Sequence, residues 1–126
     1  MATRMITAKG SVAPIEDVTP IKGSQAGRHL FGVAGLDLDR SKMARIALIN
    51  NETGGDIYVR LNPFSRVQPA GTPSWGVANT TNYDFKVADG AEQRLDHDGL
   101  IGIQVVSVWV PAGNTNVNYY IRGWVD

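Results

Sequence analysis

The sequence predicts an all-β protein: a single antiparallel β-sandwich or jelly-roll-like barrel carrying an extended N-terminal arm. Three observations predict it. Apolar and polar residues alternate at period two in several short runs, Gly, Asn, Asp and Pro interrupt those runs, and no segment shows the 3.6-residue period of an ordinary helix. The chain has 126 residues, of which 43% are apolar, with 14 glycines and 6 prolines. That is material for one core, because a domain of this size buries roughly two-thirds of the surface its unfolded form exposes.

Residues 1–27 read as an extended arm. Isolated aliphatics (Ile6, Val12, Ile15, Val18, Ile21) are separated by Gly10, Pro14, Pro20, Gly23 and Gly27 with no sustained period, so they cannot form a core alone and must lie against something else. Two supports are open: the edge of this same subunit, or a neighbour on which the arm docks. The β-sandwich domain proper is expected over 28–126. Arg28–Val33 reads as a short strand and Gly35–Ser41 as a turn or a single helical turn. Met43–Ile49 is apolar on both faces apart from Arg45, which suits a central strand. Asn50–Gly55 supplies residues that tolerate positive φ, and Asp56–Leu61 returns with Ile57, Val59 and Leu61 on one side, so the pair is expected to form a hairpin. Tyr83, Phe85 and Val87 alternate with Asp84 and Lys86 in a strand wet on one face, ended by Ala88–Gly90.

The strongest signal is the pair Leu100–Val110 and Val117–Val125, joined by Pro111–Asn116 and expected to form a long hairpin. Ile101, Ile103 and Val105 share one parity and Val106, Val108 and Val110 the other. The first strand is therefore buried on both faces or changes face at a bulge near Val105, and either choice needs a second layer. Residues 62–81 make a long connection with three prolines, within which Phe64–Val67 has strand character. Trp75 in that connection is read either as a lid folded over the core or as an anchor for a partner protein or a sugar ring.

The chemistry of the chain excludes more than it suggests. Twelve Lys and Arg balance twelve Asp and Glu, so no long-range field gathers nucleic acid or an anionic membrane. The absence of cysteine removes disulfides, thiolate metal sites and thiol nucleophiles. Two histidines, His29 and His97, cannot make a three-histidine metal site. Asp96–His97–Asp98–Gly99 lacks the acidic ladder of a calcium loop and reads as a solvated turn. No serine lies in Gly-x-Ser-x-Gly, and no phosphate loop or dinucleotide fingerprint occurs. The expectation is no enzyme, no cofactor and no metal. Met1–Gly10 carries positive charge without an apolar run of seven or more residues, so no signal peptide is read, and the apolar stretch 100–110 is too short to span a membrane. The triplets Asn51–Thr53 and Asn79–Thr81 match a glycosylation pattern, which is read as chance.

Three classes of function remain: a structural assembly protein, a carbohydrate-binding module and an enzyme. A cysteine-free β-domain with low charge, Asn/Thr/Gly turns and a wandering arm points most toward assembly. The stretches Ile46–Arg60, Asp98–Gly113 and Tyr120–Trp124 resemble small virion proteins of tailed bacteriophages, most of all capsid decoration (cement) proteins. That resemblance covers the last two-thirds of the chain and implies a β-sandwich or β-barrel bound between capsid subunits, homo-oligomeric, stabilising the shell. It implies the major capsid protein or another virion protein as partner, and location on the capsid surface after synthesis in the host cytoplasm. Tail or neck components share the same look. The resemblance carries no site residues. The residues expected at a partner are Ile6, Val12, Ile15, Val18, Ile21 and Trp75, with a lectin-like module as the alternative.

Overall fold

The computed structural model describes residues 11–31, 44–62, 77–96 and 102–124. Within them lie nine strands: β1 (Ser11–Val12), β2 (Ile15–Val18), β3 (Gly27–Leu30), β4 (Ile46–Asn51), β5 (Ile57–Leu61), β6 (Phe85–Val87), β7 (Glu92–Leu95), β8 (Val105–Trp109) and β9 (Tyr119–Trp124). They form two antiparallel sheets, a first of order β1-β9-β4-β7 and a second of order β2-β3-β8-β5-β6. The predicted all-β sandwich is what the chain forms.

The pairing is nested. β5 pairs with β6, β4 with β7, β3 with β8 and β1 with β9. One long hairpin is thus rolled up on itself, and rolling lays β9 beside β4 and β8 beside β5. This is jelly-roll connectivity, with β2 added as an extra edge strand through its hairpin to β3.

The core sits between the sheets. Phe31, Ile49, Ile57, Val59, Leu95, Val106, Val108 and Val110 are buried there. β5 contributes alternate residues, Ile57, Val59 and Leu61, as its period-two pattern dictates. β8 runs between β3 and β5 with unbroken register, and its outward Val105 and Ser107 are buried as well. Ala78 N–H donates to Ser107 Oγ at 3.0 Å, which places Ala78 on that outer face. The parity change within 101–110 has its own cause. Ile103 bridges Ala44, which continues β4 of the first sheet, whereas Val106 belongs to the second, so the chain changes sheet near Gln104. Asn62, at φ 47°, fastens this corner. Its Oδ1 accepts from Gln104 N and Val105 N, and its Nδ2 donates to Gly102 O.

Both expected hairpins need correction. β4 and β5 lie in different sheets, as do β8 and β9; their connections are corners that carry the chain from one layer to the other. The two corners pack together. Asn51 Nδ2 donates to Gly55 O, Val87 O and Ala88 O, and its Oδ1 accepts from Thr53 N and Thr53 Oγ1. Asn114 Nδ2 donates to Thr53 Oγ1 and Asp56 O. A side chain at Gly55 would occupy the position of Asn114, so the two glycines of this turn serve the corner rather than a two-residue hairpin. Burial of Asn51 also removes it as a glycosylation acceptor.

Two further points concern the ends of the sheets. β7 was not expected, because Glu92–Leu95 buries only Leu95 fully and carries no alternation to read. Of the two supports left open for the segment read as an arm, the described residues from Ser11 onward take the edge of this same subunit: β1 forms an edge of the first sheet and β2 an edge of the second. The turn at 35–41, the strand character at 64–67, Ile6, Trp75 and His97 lie outside the described residues.

Candidate functional site

Between the β2–β3 hairpin and β9 the sandwich opens into a cleft of about 290 Å³. Its existence follows from the course of the N-terminal segment. β1 pairs with Gly123 and Trp124 of β9, then Ala13–Pro14 cross to the second sheet, where β2 begins at Ile15. The crossing leaves the rest of the β9 edge without a paired strand among the described residues. Pro14 sets the departure, since proline has no N–H to continue a ladder and holds a fixed φ.

Three side chains meet at the floor and wall. Glu16 on β2 lies directly across from His29 on β3, and His29 Nε2 is 2.6 Å from the Tyr119 hydroxyl, the two rings meeting edge to face with centroids 5.3 Å apart. Gly27 lies directly under the Tyr119 hydroxyl, and any Cβ there would collide with it. Burial holds the imidazole at a pKa of about 4, against the opposing pull of the Glu16 carboxylate. Burial likewise pushes the Tyr119 phenol well above its ordinary value, with Glu16 adding to the effect. Both rings are therefore neutral at pH 7 and act as a hydrogen-bonded pair, with no proton to exchange in the physiological range. Glu16 accepts from Thr19 Oγ1 at 2.7 Å, and Arg28 pairs with Asp17 on the outer side of the hairpin. Arg122 completes the opposite wall.

The backbone adds donors and acceptors of its own. Glu52 N–H bonds Asn118 O and Arg45 N–H bonds Trp124 O. Even-numbered residues of β9 therefore direct their peptide groups to β4, and odd-numbered ones to the other side. Gly123 uses that side for Val12. The N–H and C=O of Tyr119 and Ile121 point into the cleft and meet no partner among the described residues. The cleft is thus a short length of open sheet edge, apolar at Pro14, Val117 and Ile121, acidic on one wall and basic on the other.

The residues expected at a partner scatter around it. Val12 packs half-buried against the core. Ile15 and Ile21, at the two ends of the β2 region, are 49% and 55% exposed, and Val18 is half-buried. The cleft itself is made by Glu16, His29, Tyr119 and Arg122, which sequence reading did not single out. The only signal for them was the presence of His29 and Tyr119 in strands; their meeting depends on the sheet crossing. Among the described residues no group of His, Asp and Glu has the arrangement of a metal site.

A jelly-roll sandwich with an open edge is the class that fold and site define. No protein-family model matches the sequence, and no curated protein or solved structure matches it either.

Proposed function

We propose that the chain is a non-enzymatic structural protein of a virion, a capsid decoration or cement protein that binds between capsid subunits as a homo-oligomer and stabilises the shell. The observation that carries this reading is the β2 margin. Ile15 and Ile21 are exposed at the two ends of the β2 region, and the peptide groups of Tyr119 and Ile121 across the cleft from β2 meet no partner among the described residues; margins of that composition are completed by another chain rather than by water. The sequence resemblance to phage virion proteins supports the same reading.

Locating the chain in particles of the virus that encodes it, then stripping the shells of it and incubating them with recombinant protein, tests the proposal. The protein is expected to rebind in stoichiometric amounts, and the double variant Ile15→Asp/Ile21→Asp to rebind weakly while melting at the wild-type temperature. Finding the chain at the neck or tail instead would keep the virion role and overturn the decoration role. Absence from the particles would overturn both.

One feature favours a carbohydrate-binding module as a second reading. Tyr120 is 56% exposed on the outer face of the first sheet, with Asn50 directly across from it, and Glu92 and Arg122 share the same shallow hollow over Leu48. An exposed ring with hydrogen-bonding neighbours is what stacking on a sugar requires. A saccharide hit on a glycan array that disappears in Tyr120→Ala would establish this reading.

A further inference from the structure

We propose that the open edge of β9 is the docking site for residues 1–10 of a second copy of this chain, added as a short antiparallel strand along Tyr119 to Arg122. The inference rests on the assembly reading above and specifies its partner. Four observations lead to it.

First, the peptide groups of Tyr119 and Ile121 are aimed into the cleft without partners among the described residues. Backbone groups so aligned are satisfied best by another backbone, the mode in which an extended peptide adds a strand to a sheet edge. Second, the chain's own β1 cannot supply it. Its register, Ser11 to Trp124 and Val12 to Gly123, brings Pro14 opposite Ile121 when continued by two residues. Proline has no N–H for the Ile121 carbonyl, and the chain leaves there for the second sheet. β1 also runs antiparallel to β9, so whatever precedes Ser11 joins at the Trp124 end, away from the open length. Third, the edge already accepts this kind of strand: the two residues of β1 pair on the same side of β9, and a second strand there extends an established ladder. Fourth, chemistry matches. Residues 1–10 carry Arg4 and Lys9 and no acidic residue, and Glu16 on the β2 wall is the acidic side chain they would face, with Arg122 on the wall opposite. Met5 and Ile6 supply apolar side chains for a floor made by Val117 and Ile121.

The full-length chain tests this by sedimentation velocity over a dilution series, paired with hydrogen exchange at the Ile121 amide. Self-association is expected, with Ile121 exchanging fast in the dilute monomer and slowly in the oligomer. Glu16→Lys is expected to weaken association roughly five- to tenfold, the size of one lost and reversed ion pair, and the compensating change Arg4→Glu/Lys9→Glu to restore it. Thr7→Pro, which removes a ladder donor from the arm and leaves the cleft untouched, should weaken association independently. A synthetic peptide of residues 1–10 should dissociate the oligomer of the full chain. An oligomer indifferent to Glu16→Lys and Thr7→Pro overturns the proposal, as does a chain that stays monomeric throughout the series. Protection of Ile121 already in the dilute monomer, lost on removing residues 1–10, would show the arm covering its own edge and would equally overturn docking between copies. Binding of the Glu16→Lys variant to shells at wild-type strength would leave the assembly function standing while this docking mode fell.

Discussion

His29 makes acid stability a direct readout of the cleft. Its imidazole is buried, bonded to Tyr119, and has a pKa of about 4 in the folded chain, against roughly 6.5 for an unperturbed histidine. The unfolded chain therefore binds the proton more tightly, and stability falls as pH drops from about 6.5 toward 4. A difference of about 2.5 pKa units at 1.36 kcal/mol each is worth about 3 kcal/mol, of which about 2 kcal/mol is gone by pH 5. Urea unfolding of wild type and His29→Gln at a series of pH values isolates the effect. The difference between the two curves should decline by that amount between pH 7 and 5, and His97 and the carboxylates cancel in it. Nuclear magnetic resonance should place the His29 titration near pH 4. A titration near pH 6.5, or parallel curves for the two proteins, would refute the argument that burial keeps this ring neutral.

Other outcomes follow from the packing. Asn51→Ala leaves three buried or half-buried carbonyls without their donor, and urea unfolding should show a loss of about 3 kcal/mol or more. Gly27→Ala forces a methyl against the Tyr119 hydroxyl and should cost about 1–3 kcal/mol, read from urea unfolding. Val108→Ala, in the middle of the core, should lower stability by about 2–4 kcal/mol, read from the midpoint of denaturation. Deleting residues 1–21 removes an edge strand from each sheet, so the truncated chain should melt several degrees lower in calorimetry; an unchanged melting temperature would show that β1 and β2 add nothing to the sandwich.

How far the fold could be read from residues depended on what each pattern encodes. The alternation at Ile57, Val59 and Leu61 and the continuous apolar run around Ile46–Ile49 reflect burial of one face or two, and burial is a local property of a strand. Those elements were legible. Partner choice was not. Asn50–Gly55 and Pro111–Asn116 look like hairpin turns because glycine and asparagine permit sharp reversals, yet a reversal within a sheet and a corner between sheets use the same residues. What separates them here is the bond from Asn114 to Thr53 and Asp56, a contact between two loops about sixty residues apart. The cleft was illegible for the same reason. Glu16, His29 and Tyr119 come from three strands and two sheets, and nothing in their spacing announces that Pro14 sends the chain across between them. The margin at Ile15 and Ile21 could be read, because aliphatics isolated among prolines and glycines cannot bury one another.

The nested pairing also orders events in time. β8 and β9, which follow the other described strands in chain order, occupy interior positions: β8 joins β3 to β5, and β9 joins β1 to β4. Until they emerge, the second sheet is two separated fragments and the first has only β4 and β7 together. Before then a nascent chain can form only the β2–β3, β5–β6 and β4–β7 pairs among the described strands, while closure of β1 on β9 spans more than a hundred residues and bears the largest loop entropy. Chains truncated before Ser107 should not fold as smaller sandwiches but remain open, with the β4 edge exposed and prone to pair with other truncated chains. Closure of both sheets therefore waits on β8 and β9, and a chain without them has neither sheet whole.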